Sequence, residues 1–275
     1  MPQEAAIIAR AALDALARGE SVVTVTVIRA PKGTAPIGGK LLVRADGTTL
    51  GRLDGGPLDE AARTLALAHF RRHDTRLARL DISFAEVSGR YQPSTYDLLL
   101  EAVEPPPSVL IVGAGHIGRA LCRLAADAGF VVTVIDDRPD YADPALLPGA
   151  STVICDEIGA ALDRAPIGAQ TSVVLVSRGH KQDELALRHA VLRPAGYVGM
   201  IGSKRRTSAV LHHLEAEGYP REALDRVRTP IGLDIGAETP EEIAVSILAE
   251  IILVRRGGTG QPMYYRRGEA AAAPS

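Results

Sequence analysis

The sequence predicts an α/β protein, a doubly wound parallel sheet over residues 108–256 preceded by a smaller α+β domain over residues 1–104. Three observations carry this. From Val109 onward, short β-branched runs alternate with helical patterns. Pro105-Pro106-Pro107, after Glu104, form a stiff extended joint between the two halves. The stretch SVLIVGAGHIG, from Ser108, passes from an apolar strand through a glycine-rich turn into a helix, and a second strand then ends in Asp136, about twenty residues beyond the glycines. Strand, turn, helix and acid at that spacing are the signature of a Rossmann-type nucleotide fold.

Residues 4–18 carry Ile7, Ile8, Ala12 and Leu16 at helical spacing and stop at Gly19. Residues 21–28, SVVTVTVI, form a β-branched strand. Residues 29–40 are too rich in Gly and Pro for regular structure and read as a functional loop. Residues 41–44 and 48–53 flank a hairpin turn at Ala45-Asp46-Gly47, and Asp54-Gly55-Gly56-Pro57 leads into a helix over 58–73. Two more strands are expected at 81–88 and 95–103. Beyond the prolines, strands are expected at 109–112, 131–135, 152–155, 172–177, 196–201 and 226–229. Thr239-Pro240-Glu241-Glu242 is a capping box with proline at the first helical position. It opens a helix to Arg256 whose apolar residues cover most of its circumference, which predicts burial against the sheet or a second subunit. Residues 257–275 lack periodicity and read as a flexible tail.

Composition narrows the function classes. The formal charge is −2 and the pI about 6.4, so no basic field draws the chain to nucleic acid or an anionic membrane. Aromatics are 4% with no Trp, which also disfavours stacking on single-stranded bases. Met1-Pro2-Gln3-Glu4 does not resemble a signal peptide and no apolar run approaches a membrane span, so a cytoplasmic location is expected. Cys122 and Cys155 read as small buried apolar residues, Cys155 with the reservation that a strand's carboxyl end can face a ligand crevice. No CxxC pair or carboxylate cluster predicts a protein-held metal.

The glycine-rich turn is the first candidate site. Gly113 permits the tight turn, Gly115 lets backbone approach a phosphate, and Gly118 allows close helix packing. His116 and Ile117 lie inside the turn, and the helix start offers unpaired N–H groups. Asp136 is expected to accept hydrogen bonds from an adenosine ribose, and Arg138 leaves NADP open beside NAD. Loops after the fourth, fifth and sixth strands of this sheet should converge on the same edge. They supply Arg178, Gly179 and His180, then Gly202, Ser203, Lys204 and Arg205, then Asp234, with Glu238 just before the capping box. His180 is the candidate acid or base, the basic run after Gly202 is a candidate anion site, and residues 33–39 are the expected lid.

The segments GAGHIG, VTVIDDRPDYAD, VSRGHKQD, YVGMIGSKRR and PIGLDIGAETPEEIAVSILAEI closely resemble the Rossmann domain of the XdhC/CoxI family, and they are spread along nearly the whole of residues 108–256. The resemblance implies binding of the molybdenum cofactor (molybdopterin), with its phosphate at the glycine turn and basic loop. It further implies delivery, after sulfuration by a cysteine desulfurase, to an apo-molybdenum hydroxylase of the xanthine dehydrogenase type, and a homodimer. The N-terminal half departs from the family pattern: Ile37 follows Pro36 where an arginine is usual, and Gly55-Gly56-Pro57-Leu58 replaces a glycine-cysteine run. Two functions therefore stand. One is a cofactor-binding chaperone; the other is an NAD(P)-dependent oxidoreductase acting on a small anionic substrate.

Overall fold

The computed structural model describes residues 2–70, 75–83 and 93–263. Alternation along β1 (Val22–Arg29) sets the N-terminal layers. Val23, Val25 and Val27 face one side, Val22, Thr24 and Thr26 the other, and all six are buried. A strand buried on both faces needs a cover on each. α1 (Pro2–Ala17) supplies one through Ile8, Ala12 and Ala15, and α2 (Pro57–His69) the other through Leu58, Ala62 and Ala66. With β2 (Lys40–Arg44), β3 (Thr49–Gly51), β4 (Thr75–Ser83) and β5 (Pro93–Val103), the antiparallel sheet has the order β3-β2-β1-β5-β4.

β4 begins at Thr75 rather than Asp81, because it pairs with β5 from Thr75 opposite Glu101 to Ser83 opposite Pro93. It is an edge strand, where charged residues are tolerated, and the charges in TRLARLDIS hide it in the sequence. Residues 71–73 of the expected helix, 84–88 of the expected strand and 264–275 of the tail lie outside the described residues.

Beyond the prolines come β6 (Ser108–Val112), α3 (His116–Asp127), β7 (Val131–Asp136), β8 (Thr152–Cys155), α4 (Ile158–Arg164), β9 (Thr171–Leu175), α5 (His180–Ala190), β10 (Tyr197–Met200), α6 (Lys204–Ala216), α7 (Arg221–Leu224), β11 (Val227–Arg228) and α8 (Pro240–Arg256). The strands are all parallel in the order β11-β10-β9-β6-β7-β8. Val109 and Ile111 of β6 pack into the layer with α3 and α8, while Leu110 and Val112 pack into the opposite layer with α4, α5 and α6. The chain steps outward from β6 to β8 and returns as β9 on the other side of β6. That reversal makes the carboxyl ends of β6 and β9 the topological switch point of the sheet, where ligands of such sheets bind.

The topology overturns the expected lid. Val22 at the start of β1 pairs with Val103 at the end of β5, which runs through Glu104-Pro105-Pro106-Pro107 directly into β6. The start of β1 thus lies beside the joint, and the loop of residues 33–39 follows its far end, eight residues of extended chain away. The joint in turn enters the Rossmann sheet at the amino end of β6. A cleft of about 850 Å³ there is lined by Arg18, Glu20, Arg44, Asp46 and Gln170, with no residue of the 33–39 loop. Within one chain, this loop cannot close over the carboxyl edge.

Gly118 is the tightest position in the glycine turn. A Cβ there would lie 1.9 Å from the Gly113 carbonyl oxygen, so the turn itself would have to move. Gly118→Ala should cost about 1–3 kcal/mol of stability, more than the helix propensity it gains. Thermal melting checks this: a loss of several degrees is expected, and an unchanged melting temperature would show that the turn yields freely.

Candidate functional site

The glycine turn is shaped by two different demands. Gly113 has φ 110°, and a Cβ on it would meet the Val176 carbonyl oxygen at 2.6 Å and Ser177 Cα at 2.7 Å, so β6 and β9 approach too closely for any side chain. At Gly115, by contrast, a Cβ would find nothing within 4 Å. Packing therefore does not require this glycine; it leaves open space directly before α3. No side chain caps α3 and its first turn holds no acid, so its leading amides and the positive end of its dipole face that space. His116 is exposed and Ile117 half-buried at the same place.

Asp136 ends β7 beside the turn and is 2% exposed. Its Oδ2 accepts from the Ala114 N–H at 2.7 Å and from Arg138 Nη2 at 2.8 Å. Its Oδ1 accepts from the Arg138 N–H at 3.0 Å and from Arg138 Nε at 2.8 Å. A carboxylate offers about four lone-pair sites, and these four bonds fill them. Burial alone would raise the Asp136 carboxyl, but the Arg138 side chain, the Ala114 and Arg138 amides and the adjacent guanidinium charge together hold it below the ordinary aspartate range. Arg138 lies over the Tyr141 ring, 3.6 Å from its centroid. Arg119 reaches the same ring at 5.3 Å while donating from Nε to the Ala114 carbonyl at 2.9 Å.

The other loops arrive as expected at the carboxyl ends, but not all their residues meet. Gly179 has φ 100° and, with Arg178, is exposed at the start of α5. His180 is the first residue of α5, and its side chain lies outside the described residues. Ser177 is held by Asp183 of α5, whose Oδ1 accepts from the Ser177 N–H at 3.1 Å and from its hydroxyl at 2.6 Å. Arg206 Nη2 lies 3.6 Å from Asp183 Oδ2, tying α6 to α5. Gly202, φ 152°, and Ser203 open α6, which has neither a side-chain cap nor an acid in its first turn. The basic run then divides: Lys204 lines a groove with Thr207, Arg221 and Thr229, whereas Ser203 and Arg205 line another with Glu184 and His213. Consecutive helix positions diverge by about 100°, so Lys204 and Arg205 do not form one pocket. Asp234 and Glu238 are exposed on the loop before α8.

What holds that loop is not among the residues that the sequence singles out. Glu250 of α8 is buried, and its Oε2 accepts from the Tyr197 hydroxyl at 2.5 Å and from the Gly232 N–H at 2.8 Å. Burial, then the hydrogen bond to Glu250, pushes the Tyr197 hydroxyl far above its ordinary range. Ser246, one turn earlier, donates to the Leu233 carbonyl at 2.5 Å and accepts from the Leu233 N–H at 3.2 Å through its own carbonyl. The signal is present as polar residues at i and i+4 inside the apolar run IAVSILAEI. α8 buries Ala244, Ile247 and Ile251 together with the polar Ser246 and Glu250, while Val245 and Ile252 on its other face are 47% and 41% exposed. The capping box forms, with Thr239 Oγ1 accepting from the Glu242 N–H at 3.2 Å and Glu242 Oε2 accepting from the Thr239 N–H at 3.0 Å.

Cys122 is buried, and burial raises its thiol, so it behaves as a small apolar residue. Cys155 corrects the sequence reading: it is exposed at the carboxyl end of edge strand β8, opposite Asp136 in the ladder. Leu58, in the replaced glycine-cysteine run, is fully buried in the N-terminal core. Glu184, His213 and Glu217 gather on α5 and α6, but Arg188 pairs with both carboxylates, making this cluster an ion-pair network. No helix among the described residues is long and apolar enough to cross a membrane.

Removing Glu250 would leave the buried Tyr197 hydroxyl and the half-buried Gly232 N–H without their acceptor, at a cost of about 2–4 kcal/mol. Glu250→Ala should therefore lower the melting temperature by several degrees and speed amide exchange at Gly232 and Leu233. Unchanged exchange there would show that α8 does not hold the loop.

Residues 109–251 match the model of the XdhC Rossmann domain, and residues 15–81 match that of the XdhC and CoxI family. An uncharacterised protein of Escherichia coli, YqeB, is 30% identical over 224 residues, covering 80% of this chain and 41% of YqeB. A Bacillus subtilis protein described as a probable xanthine dehydrogenase subunit is 30% identical over 208 residues, covering 75% of this chain and 54% of that protein. This chain thus spans about half the length of these two relatives. The molybdenum cofactor insertion chaperone PaoD of Escherichia coli is 25% identical, with 90% of this chain and 88% of PaoD covered. A crystal structure described as a xanthine dehydrogenase from Bacillus halodurans shares the fold at a TM-score of 0.51 and 22% identity, covering 90% of this chain and 96% of that one. With the Rossmann match spanning just over half of its length, the chain belongs to the XdhC and CoxI family.

Proposed function

We propose that this protein is an accessory factor that binds the molybdenum cofactor and hands it to an apo-molybdenum hydroxylase of the xanthine dehydrogenase type. The observation that carries the reading is the space before α3: a glycine kept where packing does not demand one, facing an uncapped helix start. Close approach of backbone amides to a phosphate requires that combination. The names of two relatives, a molybdenum cofactor insertion chaperone and a probable xanthine dehydrogenase subunit, support the choice of cofactor and client.

In this reading Gly113, Gly115, His116, Ile117 and Gly118 receive the phosphate of the pterin. The bound cofactor supplies the metal chemistry of the client, and this chain holds and orients it. Asp136 and Arg138 shape one wall; Arg178 and Gly179 follow β9, and His180, the first residue of α5, is assigned the role of acid or base in this proposal. Gly202, Ser203, Lys204, Arg205, Asp234 and Glu238 surround the outer rim, where the two basic residues attract an anionic ligand from separate grooves. The reading extends to a homodimer, for which the exposed Val245 and Ile252 of α8 offer apolar surface, to a cytoplasmic setting and to a cysteine desulfurase partner. A second reading, an NADP-dependent oxidoreductase acting on a small anionic substrate, draws on Arg138 beside the acid of the second strand.

Molybdopterin titrated into the full chain should bind, and the loaded protein should activate an apo-hydroxylase. Gly115→Val should weaken binding at least ten-fold with the melting temperature unchanged, because the added side chain enters open space. Absence of both pterin binding and activation would overturn the proposal, and quenching of NADPH fluorescence in its place would favour the oxidoreductase.

A further inference from the structure

The second-strand acid of a dinucleotide fold ordinarily accepts the ribose hydroxyls of its ligand. Here that acceptor is closed. All four lone-pair sites of Asp136 are filled from within the chain, one by Ala114 and three by Arg138. A free ribose diol could reach the carboxylate only by displacing the Arg138 fork, and that fork is fixed on its other side by the Tyr141 ring. Tyr141 is itself anchored: its N–H donates to the Arg138 carbonyl at 3.0 Å, and its side chain packs against the apolar layer of α3 and α8.

The same closure presents positive charge. Arg138 spends Nε and one Nη on Asp136, leaving its second Nη, and its side chain is 24% exposed. Arg119, bound through Nε to Ala114, faces Tyr141 as well, so two guanidinium groups meet at one ring beside the glycine turn. Planar guanidinium forks match phosphate oxygens in pairs.

We propose that Arg138 is the specificity-determining residue of this site. Held by Asp136, it bars ligands that present a free ribose diol, and with Arg119 it selects ligands that carry a terminal phosphomonoester. The inference rests on the glycine turn being a ligand site, and it narrows the ligand to one end-group chemistry.

The test uses the full chain, with ADP-ribose and 2′-phospho-ADP-ribose as paired probes in calorimetric titrations at one ionic strength. Wild type should bind the phosphorylated probe at least ten-fold more tightly. Arg138→Gln should bring the ratio close to one, chiefly by weakening the phosphorylated probe, and Arg119→Gln should reduce it several-fold. Equal binding in wild type, tighter binding of ADP-ribose, no measurable binding of either probe, or a preference that survives Arg138→Gln would each overturn the proposal. Should Arg138→Gln fail to fold, the wild-type ratio and Arg119→Gln decide the matter. Molybdopterin binding is read separately, so a protein that binds the pterin but shows no phosphate preference would retire this inference alone.

Discussion

Ala114 is tied in both directions, and the candidate site depends on that tie. Its N–H is held by Asp136 at the end of β7, and its carbonyl by Arg119 one turn into α3. The glycine turn between β6 and α3 would otherwise be the softest part of the sheet edge, since glycine loses the most backbone entropy on ordering. A buried, charged acceptor fixes it at the one residue with a side chain between Gly113 and Gly115. The consequences run outward: Asp136 orients Arg138, Arg138 lies on Tyr141, and Tyr141 packs on the layer that α8 shares with α3.

A second, independent tie holds the other side of the edge. Glu250 and Ser246 of α8 grip Gly232 and Leu233, and Asp183 of α5 grips Ser177. In each case a polar group on a helix fixes a loop that the strand alone would leave loose. Buried polar groups of this kind are costly unless fully bonded, and they then specify a single arrangement. The site is thus a set of exposed donors on a braced frame, with Gly115 as the open position.

Much of this is legible in the sequence because it rests on local rules. The alternation in residues 109–112 and 22–27 sorts side chains to two faces, and TPEE caps α8 as its spacing requires. The glycine spacing places the turn correctly, and the short β-branched runs mark the parallel strands. What sequence reading loses depends on how the chain folds back on itself. Asp136 reads as a ribose acceptor because the motif says so, and nothing in the spacing reveals that Arg138 turns back two residues to fill it. Residues 33–39 read as a lid because they are glycine-rich, whereas the pairing of Val22 with Val103 sends them away from the carboxyl edge. Lys204 and Arg205 read as one basic patch, and helical geometry turns them into different grooves.

The central claim is that Asp136 is a closed, charged brace. The most direct measurement is the carboxyl carbon resonance of Asp136 followed through an acid titration of the folded protein. An unperturbed aspartate titrates near about 3.9, and the account predicts a midpoint below that value. The sign has a thermodynamic counterpart: stability from this group is fully present above the unfolded-state pKa and is lost as pH falls through the lower folded value. Asp136→Asn should remove that part of the acid dependence. A midpoint at or above the ordinary aspartate value would contradict the account, because it would mean that the Ala114 and Arg138 bonds do not hold the carboxylate in its charged form.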